Sequence, residues 1–114
     1  MVMLSVGAVI LVPFPFSDLS QAKLRPAVVL AEVGKNDWVL CQITSNPYGD
    51  AKAITLLNSS FQNGSLQMTS YVRPGKLFTS NSSLVVKQVG RLKTEVLKFI
   101  INAVIDIFRP GLEL

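Results

Sequence analysis

The side chains available for chemistry in this sequence are arginine, lysine and hydroxyl groups. Histidine is absent, so an imidazole base, a Ser-His-Asp triad or a paired-histidine ribonuclease site cannot be built. The carboxylates Asp18, Glu32, Asp37, Asp50, Glu95, Asp106 and Glu113 are scattered singly, with no local pair of the kind that holds two metal ions. A single cysteine, Cys41, leaves a four-ligand zinc site without donors. Neither GxxxxGK(S/T) nor GxGxxG occurs. The remaining groups suit binding and stabilising phosphate through charge and fixed donors. No metal and no cofactor is expected.

Three places could present such groups. Arg25, in Lys23-Leu24-Arg25-Pro26, stands where a polar stretch enters an apolar run. Rigid backbone there would hold a planar fork suited to phosphate oxygens. Thr44, in Gln42-Ile43-Thr44-Ser45-Asn46, ends a later apolar run. If the two runs form a hairpin, Arg25 and Thr44 come to the same rim. Neither is expected in the core. In Ser70-Tyr71-Val72-Arg73-Pro74-Gly75-Lys76-Leu77, alternation sends Ser70 and Val72 to one face and Tyr71 and Arg73 to the other. Arg73 or Lys76 could then hold a phosphate and Tyr71 could stack on a base. A solvated strand-start arginine, a threonine of ordinary β-propensity and a packing tyrosine fit the same positions.

Short strands must position these residues. The apolar runs at 8–13, 26–32 and 38–44 read as strands, the last two joined through Gly34-Lys35-Asn36-Asp37. Residues 14–23 read as a long polar loop, a common carrier of function. Another loop is marked by Asn46, Pro47, Gly49 and Asp50. A short strand is expected at 53–57. The polar stretch 58–65 contains Asn63-Gly64, which signals a turn. Strand pieces at 69–72 and 76–79 are separated by Pro74-Gly75, and 84–92 is the last β-like stretch.

The C-terminal segment has a different period. Glu95, Lys98, Asn102, Asp106 and Arg109 recur every three or four residues, a polar arc of about 80° on a helical wheel. Every other position from 95 to 109 is apolar. So wide a stripe implies contact with the chain's own sheet and with a second subunit; a helix nested deeply in a monomer is the other reading. Pro110-Gly111 is expected to end this helix. Strands followed by one terminal helix give a mainly β fold, a small, partly open barrel.

Length and composition set the frame. The chain's 114 residues suffice for one domain, spanning 1–114. Apolar residues make up 49% and charged residues only 16%, which points to surface covered by a partner. The net charge of +4, from 11 basic and 7 acidic residues, is consistent with an anionic partner. No basic n-region precedes the apolar N-terminus, which Pro13 and Pro15 interrupt, and the apolar stretch at 99–108 is too short to span a bilayer. With one unpaired cysteine, this points to a cytoplasmic protein without a membrane partner.

The blocks at 7–19 (Gly-Ala-Val-Ile-Leu-Val-Pro-Phe-Pro-Phe-Ser-Asp-Leu), 24–30, 41–45, 70–77 and 89–92 (Val-Gly-Arg-Leu) together resemble, in order, those of PemK/MazF-type toxins. The resemblance implies an SH3-like barrel with a C-terminal helix, assembled as a homodimer. It implies metal-independent, sequence-specific cutting of single-stranded RNA, with the RNA's own 2′-hydroxyl attacking to leave a 2′,3′-cyclic phosphate and a 5′-hydroxyl. Arg25 and Thr44 correspond to the family's catalytic pair. Phe16, Ser17, Lys23, Ser45, Asn46, Ser70, Arg73 and Lys76 are the expected RNA contacts, and a cognate antitoxin occupies the RNA groove. Base preference is expected to depend on the loop at 14–23.

Two positions depart from the pattern. Ala8 stands where the family usually has an acidic residue, and Lys93-Thr94 replaces a Ser-Pro-like helix entry, with Thr94 the expected cap. Two other functions fit a similar barrel. A gyrase-poisoning toxin of the CcdB type acts through a tryptophan near its C-terminus, whereas the sole tryptophan here is Trp38. A non-catalytic barrel that binds RNA or protein is the second, and the presence of both Arg25 and Thr44 counts against it.

Overall fold

A computed structural model describes residues 3–15 and 22–114. The β-branched N-terminal half supplies three consecutive antiparallel strands: β1 (Ala8–Pro15), β2 (Ala22–Gly34) and β3 (Asp37–Thr44). Lys35 (φ 55°) and Asn36 (φ 66°) are both left-handed and turn β2 into β3, the two-residue geometry that matches strand twist. Further on come β4 (Ile54–Leu56), β5 (Phe61–Gly64), β6 (Ser70–Asn81) and β7 (Lys87–Leu92), then α1 (Thr94–Phe108). The strands form one curled antiparallel sheet in the order β4-β6-β3-β2-β1-β7-β5. Mainly β with a C-terminal helix, this is the partly open barrel that the strand pattern predicts.

Both faces of the central strands are covered, which explains why β1 and β2 read as continuous apolar runs rather than alternating ones. On one face Val9, Val28, Cys41, Ile43 and Val72 pack with Leu56, Phe61, Leu92 and Ile100 of α1. On the other, Ile10, Val12, Ala27, Val29 and Leu40 pack with Leu4, Trp38, Phe78 and Val85. The Phe14 and Phe78 rings meet edge to face, 4.7 Å between centroids. No helix among the described residues is long and apolar enough to cross a membrane.

Cys41 lies fully buried in the first cluster, and its S–H donates to the Arg73 carbonyl at 3.0 Å. Burial pushes its thiol up from 9.0 to about 12. Its folded value lies above the unfolded one, so its contribution to stability is complete below pH 9.0 and is lost as pH climbs toward 12. A thiol reagent at pH 8 is expected to label Cys41 only as fast as the chain unfolds. Labelling at the rate of a free thiol in native buffer would contradict this burial.

The structure corrects several element readings. The stretch at 58–65 is not a turn. A 3-10 turn at Asn58–Ser60 leads into the edge strand β5, which pairs with β7. Gly64 (φ 71°) serves close approach instead, because a Cβ there would lie 2.2 Å from the Val89 carbonyl oxygen. Pro74-Gly75 does not divide β6. Cys41 pairs with Leu77 and Ile43 with Val72, so residues 73–76 bulge opposite Gln42, where proline forfeits no ladder bond. The stretch at 84–92 shortens to β7 behind a 3-10 turn, Ser82–Leu84, whose Ser83 N–H donates to Asn81 Oδ1. Thr94 is the first residue inside α1 rather than its cap; Lys93 precedes it and makes no side-chain cap bond. Pro110 ends the α-helical bonding, but the chain continues as a 3-10 helix over Arg109–Glu113.

Candidate active site

The register aligns residues from five strands. Val12 pairs with Arg25 and Ala27 with Gln42. The β2–β3 ladder ends at that second pair, and Arg25 and Thr44 stand two residues beyond it on their strands, on the face of Ala27 and Gln42. Thr44 in turn pairs with Tyr71, and Tyr71 with Thr55. Residues opposed in an antiparallel sheet share a face. Val12 and Arg25 on one side of the ladder's end, and Thr44, Tyr71 and Thr55 on the other, therefore lie on one face of the sheet. Beside it, at the rim, a cleft of about 250 Å³ is lined by Arg25, Thr44, Ser45 and Ser70 and by the apolar Leu24, Ile43 and Met68.

Each polar group in the cleft is positioned by its surroundings. Arg25 is half-buried, with its Nε shielded from solvent. Thr44 is only 5% exposed, so the expectation that it lies outside the core does not hold. Its Oγ1 accepts from the Asn46 N–H at 3.1 Å and donates to the Asn46 carbonyl at 3.0 Å. Rotating the hydroxyl proton toward a ligand gives up only the second bond. Ser70, 4% exposed, donates to the Met68 carbonyl at 3.2 Å, and its oxygen keeps lone pairs that can accept.

The other expected contacts fall into four groups. Ser45 and Asn46 are exposed on the loop leaving Thr44. Lys23, opposite Phe14 in the ladder, and Lys76, the last residue of the β6 bulge, are both exposed and do not line the cleft. Arg73 is turned to the chain itself: its Nε donates to Asp50 Oδ2 at 3.0 Å, and its guanidinium lies 5.6 Å from the centre of the Tyr48 ring. The Lys52 backbone N–H and the Arg73 guanidinium hold the Asp50 carboxyl below its ordinary range. Phe16 and Ser17 lie outside the described residues.

Sequence reasoning passed over Gln42 and Tyr48. Gln42 shares the face of Thr44, and its buried Oε1 has no hydrogen-bond donor among the described residues, a state that costs about 1–3 kcal/mol. Position i−2 from a candidate strand-end residue was the available signal. For Tyr48 the signal was an aromatic inside the turn cluster at 46–50. Among the described residues no three Cys, Asp or Glu side chains gather where they could hold a metal ion.

A family model described as PemK-like, MazF-like toxin of type II toxin–antitoxin system matches residues 5–108. The chain belongs to the PemK/MazF toxin family. Solved structures of like shape include MazF from Deinococcus radiodurans, with a TM-score of 0.72 and 18% identity over 95% of this chain and 98% of that one. An endoribonuclease in complex with its cognate antitoxin, from a mycobacterial species, gives 0.71 and 13% over 91% and 93%. The Mycobacterium tuberculosis toxin MazF-mt6 gives 0.64 and 17% over 88% and 96%. At these identities the likeness is one of fold. Comparison with curated proteins gives no match.

Proposed function

We propose that this type II toxin is a metal-independent endoribonuclease that cuts single-stranded RNA in the cytoplasm, with Arg25 and Thr44 as its catalytic residues. The observation that carries the reading is that Arg25 and Thr44, each two residues beyond the end of the β2–β3 ladder, line the same polar-rimmed cleft. The RNA 2′-hydroxyl gives its proton to solvent as its oxygen bonds to phosphorus, the P–O5′ bond breaks, the leaving 5′-oxygen takes a proton from solvent, and the products are a 2′,3′-cyclic phosphate and a 5′-hydroxyl. Such a reaction needs no imported nucleophile. It needs in-line geometry and donors for the charge that develops on phosphorus. Arg25 stabilises that charge and donates toward the leaving oxygen. As arginine stays protonated, it is not the base. The Thr44 hydroxyl turns from the Asn46 carbonyl to a non-bridging oxygen.

Two copies pair in the same proposal. Ile105 and Phe108 are exposed on one flank of α1 and Phe99 on the other, so apolar surface is left over after the helix has covered its own sheet. The cognate antitoxin occupies the groove that RNA would otherwise take.

Replacing the 2′-hydroxyl at the cut site with hydrogen is expected to abolish cleavage, while excess EDTA leaves it unchanged. Cutting of the deoxy substrate would sink the mechanism. So would activity lost in EDTA and restored by a divalent metal.

A further inference from the structure

Tyr48 stands four residues beyond Thr44 and is 64% exposed. Its backbone is left-handed (φ 53°), an uncommon conformation for a bulky side chain. Local bonds hold it there. The Thr44 hydroxyl is bonded to the Asn46 backbone, and Asn46 Oδ1 accepts the Tyr48 N–H at 2.9 Å. Beneath the ring, the Arg73 guanidinium lies 5.6 Å from its centre, and Asp50 fixes that guanidinium at 3.0 Å. Arg73 and Asp50 are each 19% exposed at their side chains, so the pair under the ring is largely shielded. One face of the ring is backed by a cation and the ring remains open to solvent. Four residues of chain keep it within about 14 Å of Thr44.

A packing role would bury such a ring, and a solvated loop would not anchor it through four side chains, Thr44, Asn46, Arg73 and Asp50. We propose that Tyr48 is a stacking platform for one nucleobase of the RNA, next to the cleavage point, and that Arg73 and Asp50 are its positioning residues. Stacking on a rigid aromatic ring captures an unpaired base whatever its hydrogen-bonding edge. The cation behind the ring adds its attraction to the ring's π-face. This role rests on the RNA-cleaving reading of the same site and adds a binding contact that Arg25 and Thr44 do not supply.

The test uses a short RNA containing the protein's own cut motif, with a 2′-deoxy residue at the cut so that binding is read without cleavage. Tyr48→Ala is expected to raise Kd about tenfold, the middle of the range for losing one base–aromatic stack. Tyr48→Phe should stay near wild type, and Asp50→Asn should fall between them. A series of RNAs, each lacking one base, supplies the decisive readout. With wild-type protein, one position beside the cut should lose about tenfold, and with Tyr48→Ala that position should lose nothing further. The series on wild-type protein holds even if a variant folds poorly. Equal Kd for Tyr48→Ala and wild type on RNA that the wild type cleaves would overturn the platform alone. So would weakened binding of the antitoxin with RNA affinity unchanged. A wild type that cleaves no RNA would overturn the function itself, and the platform with it.

Discussion

Arg25→Ala is expected to lower the single-turnover cleavage rate by about a hundredfold or more, the usual loss for a donor that acts in the transition state. Arg25 is half-buried in the first part of β2 rather than packed in either apolar cluster, so the variant should keep its circular dichroism and most of its Tm. Thr44→Ala should lose a comparable factor for two reasons. It removes the hydroxyl that turns to phosphate, and it cuts the tie to the Asn46 backbone, worth about 0.5–1.5 kcal/mol. Thr44→Ser keeps both and should recover to within roughly tenfold of wild type. The measurement is rate on one RNA at saturating protein, beside a melt of each variant. Near wild-type rates for Arg25→Ala and Thr44→Ala together would place the chemistry elsewhere.

Along α1, Ile100→Asp and Phe108→Glu should fail in opposite ways. Ile100 is fully buried among Leu92, Phe61 and the sheet. An unpaired carboxylate there costs more than a small domain can spare, so the chain should be unfolded or insoluble. Val96, Leu97, Ile101 and Val104 pack against the same cluster, and charges at those positions should destabilise the fold likewise. Phe108 is 62% exposed, so a charge there leaves the fold intact. In a two-fold dimer each interface position counts twice, and a buried aromatic contributes roughly 1.5–3 kcal/mol per copy. Phe108→Glu should therefore sediment as a folded monomer at micromolar concentration, with cleavage reduced. A wild type that is itself monomeric and fully active at that concentration would refute the dimer.

The parts of the fold legible in the sequence were those where burial is two-sided and local. Residues 8–13, 26–32 and 38–44 show as apolar runs because both faces of β1, β2 and β3 are covered, and only their polar ends, such as Ala22–Arg25, escaped notice. The edge strand β5 did not show, because Gln62 and Asn63 are exposed and Gly64 mimics a turn signal. The second half of β6 was separated from the first by a proline that a bulge accommodates. In the site, Arg25 and Thr44 could be brought together by a hairpin, a short-range inference. The Arg73–Asp50 pair could not, since 23 residues separate the partners and nothing in either segment names the other. Burial of Thr44 likewise depends on β6, a strand whose place in the sheet order no local pattern carries.

The set of residues on this sheet face, Val12, Arg25, Thr44, Thr55 and Tyr71, also has a meaning in time. Its members come from positions 12, 25, 44, 55 and 71, and β1 finds its second neighbour only in β7, some eighty residues later. Distant strands must close long loops before their contacts reward the closure, so sheets of this kind form slowly and late. The β1–β2–β3 meander can form as soon as residue 44 has been made. It brings Arg25 to Thr44 without the β6 strand that buries Thr44 and without Ser70 to complete the cleft. A chain still being synthesised, or cut short before β6, therefore has the pair of residues without the setting that makes them a site. On the proposed function, RNA cleavage therefore requires β6, Ser70–Asn81, and cannot precede its synthesis.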